Sequence, residues 1–275
     1  MLLTRILSAL VMGVVLAIAL FGVGEQGWAL AMLVLTGIAA WEWGALSGLG
    51  RAGRGVATAL IVAACVIVDY ACQLPSGGFD RSRVMLLMGV AALFWGGLVP
   101  WWLWRLPQGA PRLMLIAMAA PALVPAWLAT VVLRFQGAGW LLCVMAIVWL
   151  ADTSGYGFGR WLGRHKLAPR VSPGKTWEGV LGGLAVLLLY GVWLATGPAA
   201  RALDALDLVP LLAGILFLGG MSVVGDLFES SLKRQAGVKD SGSLIPGHGG
   251  VLDRLDAQFS TLPLAVLLLH LSGVL

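Results

Sequence analysis

Nine apolar stretches of 17 to 23 residues alternate with short polar links along this chain. They run over about Arg5–Val23, Gly27–Ser47, Val56–Gln73, Val84–Trp104, Leu113–Arg134, Gly139–Tyr156, Trp177–Ala195, Leu208–Ser230 and Ala257–Gly273. A helix needs about 20 apolar residues to cross the hydrocarbon core of a bilayer, so each stretch reads as a transmembrane helix. The pattern predicts an all-α polytopic membrane protein with about nine transmembrane helices and a polar cavity facing the cytoplasm. No segment is left over for a separate soluble domain, so any chemistry has to sit on the helices and their links. The chain divides into N-terminal transmembrane helices at 1–137 and a C-terminal catalytic region at 138–275. The latter holds two cytoplasmic loops, 157–176 and 231–256. The first stretch is longer than the roughly 7–15 residues of a signal-peptide core and is read as a retained helix.

Composition agrees with the pattern. Hydrophobic residues make up 60% of the 275 and charged residues 11%, against about 25% charged in soluble domains. With the N-terminus inside and nine crossings, fourteen of the 18 Lys and Arg fall on the inner side, which sets the orientation by the positive-inside rule. Arg81, Arg83, Arg134 and Arg201 fall outside. The net charge of +5 is accounted for by this bias, and no nucleic-acid partner is expected. Cys65, Cys72 and Cys143 lie in or beside apolar stretches without metal-ligand neighbours and read as packing residues. Trp101, Trp102 and Trp104 read as an interfacial belt.

The two inner loops carry the chemistry. The first is ADTSGYGFGRWLGRHKLAPRVSPGKTWEGV. Asp152 still belongs to the preceding span, where an ionisable residue costs about 2.5–3.5 kcal/mol unless paired or wet. Ser172-Pro173 reads as a helix cap followed by Pro at the first helical position, and Lys175 beside free N–H groups suits an anion. The spacing does not match a P-loop.

The second loop starts inside a helix, at GGMSVVGDLFESSLKR. There Asp226, Glu229, Ser230 and Lys233 share one helical stripe. A Pro- and Gly-rich turn, IPGHGG, leads into VLDRLD, where Asp253 and Asp256 are three apart on one face. Asp226, Asp253 and Asp256 are oxygen donors of the kind hard divalent cations take, and Lys233, Arg234 and Lys239 offer counter-charge to phosphate. Metal, carboxylates and cations together are the equipment of phosphoryl transfer. A self-neutralising salt-bridge network closing the inner surface is the competing reading.

The segment SLKRQAGVKDSGSLIPGHGGVLDRLD resembles the signature of the phosphatidate cytidylyltransferase (CDP-diacylglycerol synthase) family. Ser231-x-Lys233-Arg234, Lys239-Asp240, Pro246, His248-Gly249-Gly250 and Asp253-Arg254-x-Asp256 carry the match, and GDLFES and GRHKLAPRVSPGKTWEG add to it. Gly174 departs from the polar residue expected between Ser-Pro and Lys-Thr. The resemblance implies transfer of CMP from CTP to phosphatidic acid in phospholipid biosynthesis at a bacterial inner membrane. It implies Mg²⁺ on Asp226, Asp253 and Asp256, with Lys233 and Arg234 completing the catalytic set. Ser172, Lys175, Ser231, Lys239, His248, Gly249, Gly250 and Arg254 are the implied substrate-binding residues. A homodimer among membrane lipids is also implied. Alternatives are an ether-lipid cytidylyltransferase, a CTP-dependent polyprenol or phytol kinase, or a transporter using Asp69, Asp152 and Asp226. Glu42 has no role from sequence.

Overall fold

A computed structural model describes residues 2–74, 78–197 and 207–275; Arg201 lies outside them. All nine predicted spans are helical. In chain order, α1 (Leu2–Ala17) continues through a π-helical turn to Gly22. It is followed by α2 (Glu25–Leu46), α3 (Arg51–Ala71), α4 (Arg81–Leu93) and α5 (Val99–Arg105). Next come α6 (Arg112–Ala117), α7 (Ala119–Gln136), α8 (Ala138–Leu162), the strands β1 (Lys166–Ala168) and β2 (Ser172–Thr176), α9 (Trp177–Thr196), α10 (Leu208–Gln235) and α11 (Leu252–Leu271). A π-helical turn, Phe94–Leu98, joins α4 to α5, so the pair forms one crossing. Among the described residues seven helices are long and apolar enough to cross a membrane. The first apolar helix, Ile6–Gly22, is shorter, and α11 opens on Asp253, Arg254 and Asp256.

The centre of the bundle is α7, which buries 12 of its 18 residues. Lipid offers no hydrophobic drive between helices, so close approach of small residues and hydrogen bonds between helices hold such a bundle. Both occur here. Trp28 of α2 donates Nε1–H to the Thr130 carbonyl of α7, and Trp127 of α7 donates back to Ala29, each at 3.2 Å. Between α8 and α9, glycines face backbone: a Cβ on Gly179 would stand 2.6 Å from the Gly155 carbonyl oxygen. Phe228 of α10 is enclosed by the rings of Trp43, Phe94, Trp95 and Trp102 at 5.6–6.2 Å between centroids. Trp102 is therefore a core residue, whereas Trp101 and Trp104 face outward as the belt reading expected.

The polar loops are more ordered than their composition suggests. α8 runs on to Leu162, α10 to Gln235, and α11 begins at Leu252, so the second predicted loop shrinks from both ends and the first from its start. The cap expected at Ser172-Pro173 is corrected by a hairpin. β1 pairs antiparallel with β2, Ala168 opposite Ser172 and Lys166 opposite Thr176. Pro173 is tolerated there because a two-stranded sheet has edges, where a missing N–H costs little. The cap of α9 is Thr176, whose Oγ1 accepts from Gly179 N at 3.2 Å. Glu178 then latches the hairpin, accepting from the backbone N–H groups of Arg164 and His165 and bonding the His165 ring.

Candidate active site

α8, α10, the first turns of α11 and the hairpin come together on one side of the bundle. α10 lies against α11 at Gly225, where a Cβ would stand 2.5 Å from Ser260 Oγ and 2.8 Å from the Asp256 carbonyl oxygen. The absence of a side chain at Gly225 thus brings Asp226, the next residue, beside Asp256. Asp152 of α8 completes the group: the charges of Asp152, Asp226 and Asp256 interact. Lys175, at the end of β2, reaches in and pairs its ammonium with Asp226 Oδ2 at 2.6 Å. Ser230 donates to Asp226 Oδ1 at 3.2 Å, and Arg254 bears electrostatically on Asp152.

A second charged group adjoins the first. Lys233 is ion-paired with both Glu229, one turn back on α10, and Asp253 Oδ1 on α11, the latter at 2.7 Å. Asp253 Oδ2 accepts from Ser241 N at 2.9 Å, Ser241 Oγ at 3.0 Å and Gly250 N at 2.8 Å. One carboxylate therefore ties both ends of the loop 241–250 to the first turn of α11. The loop folds back on itself, Ile245 N donating to the Gly249 carbonyl. Gly249 sits at φ +85 with no room for a Cβ, which would stand 2.5 Å from Asp253 Oδ2. At this position only glycine meets both the backbone angle and the approach.

Glu42, near the C-terminal end of α2, belongs to the same assembly. It is 5% exposed. It accepts from Val251 N at 3.1 Å, Leu252 N at 2.8 Å and Ser241 Oγ at 2.9 Å. The sequence alone assigns Glu42 and Asp152 no part in cytidylyl transfer. The available signal was their chemistry: a carboxylate inside an apolar span persists only with partners or water.

The remaining expected residues sit around this core. Arg234 donates Nε–H to the Val171 carbonyl and Nη1–H to that of Val238, so it stitches the hairpin to the second loop. Ser231 is buried, accepting from Trp102 Nε1 at 2.9 Å and donating to the Phe228 carbonyl. Its hydroxyl is thus engaged inside the bundle. His248 Nδ1 is 2.7 Å from Ser8 Oγ of α1. Lys239 and Arg254 are exposed, and Ser172 is half-buried in β2. An apolar cavity of about 610 Å³ lies at the other end of α8, α10 and α11, lined by residues such as Trp140, Cys143, Leu211 and Leu268.

The donor set suits a hard divalent cation. Among the described residues no three His, Cys, Asp or Glu side chains stand in ready-made ligating geometry. Mg²⁺ does not require that, since it is held by one or two carboxylates and keeps water and phosphate as its other ligands. Glu229 Oε1 is buried without a hydrogen-bond partner beside Asp253 and Asp256. A buried orphan oxygen of this kind calls for a cation or water.

Fold and site together define a class, a polytopic helical membrane protein whose charged groups gather at one end of three adjacent helices. The chain belongs to the Cytidylyltransferase family, which matches residues 3–272. It is 37% identical to a phosphatidate cytidylyltransferase of Pseudomonas aeruginosa over 279 residues, covering 99% of this chain and 98% of that one. A phosphatidate cytidylyltransferase of Haemophilus influenzae is 33% identical over 282 residues, with 96% of each chain covered. One from Staphylococcus saprophyticus is 44% identical over 136 residues, 50% of this chain.

Proposed function

We propose that the protein is a phosphatidate cytidylyltransferase, joining CTP and phosphatidic acid to give CDP-diacylglycerol and pyrophosphate. The observation that carries this is the meeting of Asp152, Asp226 and Asp256 with Lys175 at one end of α8, α10 and α11, in a chain that belongs to the family. The site would face the cytoplasm of a bacterial inner membrane, where CTP is found. Assembly as a homodimer belongs to the same proposal, on the family resemblance.

In the reaction a phosphate oxygen of the lipid attacks the α-phosphorus of CTP. The bond from that phosphorus to the β-phosphate bridge breaks, and pyrophosphate leaves with the electron pair. A phosphate monoester has its second pKa near about 6, so the nucleophile needs no Ser-His or Cys-His activation. The obstacle is repulsion between two anions, which cations placed before the reaction relieve. Lys175 and Ser172 on the hairpin, with Lys239 and Arg254 at the rim, bind phosphate oxygens. Lys233 ties α10 to the first turn of α11, Arg234 ties the hairpin to the second loop, and Ser231 steadies that end of α10. His248, Gly249 and Gly250 present the closely folded loop to pyrophosphate. Asp226 and Asp256, with Asp253 Oδ1 joining if Lys233 releases it, would hold Mg²⁺, which supplies charge neutralisation at the phosphates.

The test uses purified protein in detergent with phosphatidic acid, Mg²⁺ and CTP labelled at the α- or the γ-phosphate. Label from the α-phosphate should enter lipid, with release of pyrophosphate. Entry of γ-label instead would replace cytidylyl transfer by a kinase reaction, and entry of neither would remove both.

A further inference from the structure

Glu42 lies on α2, 199 residues before the first group it binds, and cytidylyl transfer as described above gives it no part. Its three bonds nevertheless go to the segment that presents the α11 carboxylates. Two are to the backbone N–H groups of Val251 and Leu252, at the start of α11, where the helix has unsatisfied donors and the positive end of its dipole. α11 has no capping side chain of its own. The cap is supplied by another helix. The third bond, from Ser241 Oγ, shares its hydroxyl between Glu42 Oε2 and Asp253 Oδ2.

The backbone around Glu42 is cut to fit. A Cβ on Gly242 would stand 2.5 Å from Glu42 Oε1, and one on Gly250 would collide with Glu42 Oε2 and with Ser241 Oγ. Glycines thus flank the loop at both points where it passes the carboxylate. Glu42, Ser241 and Asp253 form a continuous buried chain from α2 to α11, all three being 9% exposed or less.

We propose that Glu42 is a positioning residue. It fixes the rotation and height of the first turn of α11, and so sets Asp253 and Asp256 opposite Asp226 and Asp152. Outer groups that orient metal-ligating carboxylates commonly change metal affinity by about 10–100-fold when removed. This inference rests on the cytidylyltransferase reading for its consequence in catalysis, and its structural part is testable without turnover.

Glu42→Ala, Glu42→Gln and Ser241→Ala would be compared with wild type in the full chain, in detergent. Mn²⁺ serves as the probe for the Mg²⁺ site, titrated by electron paramagnetic resonance, and amide hydrogen exchange is followed across the chain. Glu42→Ala should weaken Mn²⁺ binding by about tenfold or more. Exchange should rise within 241–256 while α7 and α8 keep their protection. Glu42→Gln, which retains one carbonyl acceptor, should fall between. Ser241→Ala, a milder change that removes only the shared hydroxyl, should weaken Mn²⁺ severalfold and decides the matter if the Glu42 variants do not fold. Mn²⁺ affinity within twofold of wild type in folded Glu42→Ala or in Ser241→Ala overturns the proposal. A loss of protection spread evenly over all helices does so too, since that is what a merely stabilising residue would give. Wild type that binds no Mn²⁺ likewise overturns it. Wild type that binds Mn²⁺ in a Glu42-dependent way yet forms no CDP-lipid supports the positioning role and sinks only the reaction.

Discussion

Among the described residues Lys175 is the one cation paired directly with the three-carboxylate group, and replacing it tests how that group works. In Lys175→Met the side chain keeps its length and loses its charge. The pair with Asp226 is short at 2.6 Å, and its two side chains are 23% and 26% exposed. Hydrogen bonds to charged groups are worth about 1.5–3 kcal/mol, and water at a quarter exposure places this pair near the lower figure. Because about 1.4 kcal/mol corresponds to tenfold, removal of the competing ammonium should tighten Mn²⁺ binding by about tenfold. Turnover should move the other way. The hairpin loses its phosphate donor, so kcat/KM for CTP should fall by about 10–100-fold, again from about 1.5–3 kcal/mol. The assays are a Mn²⁺ titration without substrates and pyrophosphate release over a range of CTP concentrations. Opposite signs identify a lysine that holds the site when empty and moves to phosphate when it fills. If both metal binding and kcat/KM stay within twofold of wild type, Lys175 is an ordinary surface ion pair and the reasoning fails.

Two further predictions concern the backbone that builds the site. Gly225→Ala inserts a methyl 2.5 Å from Ser260 Oγ and 2.8 Å from the Asp256 carbonyl. Such overpacking costs about 1–3 kcal/mol, so thermal unfolding in detergent should come several degrees earlier and Mn²⁺ binding should weaken as Asp226 is pushed from Asp256; unchanged unfolding would show that α10 and α11 do not touch there. Thr176→Val keeps shape but removes the cap of α9, a loss of about 1 kcal/mol. It should raise protease sensitivity of the 163–176 hairpin while leaving the lipid-facing helices intact, and an unaltered digestion pattern would return capping to another residue.

Span positions were legible because an uninterrupted apolar run of about 20 residues has few other uses. The ends were not. α10 continues five residues past Ser230 and α11 starts five before Ala257, since helices that leave the membrane stay helical while polar partners satisfy their ends. Local rules also misplaced the cap of α9. Ser-Pro suits a helix start, but the pairing of β1 with β2 holds Ser172 and Pro173 extended and passes the cap to Thr176. The charges Asp226, Lys233 and Asp253 were found because they crowd into short motifs. Glu42 stands alone in its span, and its partners are contributed by residues about 200 positions away, so no window of sequence contains them. The belt reading of Trp102 fails for the same reason: its neighbours Phe228 and Ser231 come from α10.

The charge balance at the site bears on how it would receive anionic substrates. Asp152, Asp226, Glu229, Asp253 and Asp256 stand near one another with Lys175, Lys233 and Arg254. Five carboxylates against three cations leave two negative charges in excess when all are ionised, at the edge of a low-dielectric bundle. Glu42 does not add to the excess in the same way, because amide and hydroxyl donors already satisfy it. Two protons or one divalent cation would restore balance. CTP and phosphatidic acid are both anions, so with all five carboxylates ionised and no cation bound each would be repelled by the residues the helices bring together. On the proposed reading a hard cation held by Asp226 and Asp256 would offset that excess, and substrate phosphates would then be drawn to the cation and to Lys175. In that proposal the carboxylates on α8, α10 and α11 would hold the cation, and the cations on the hairpin and loop would bind the phosphates of the substrates.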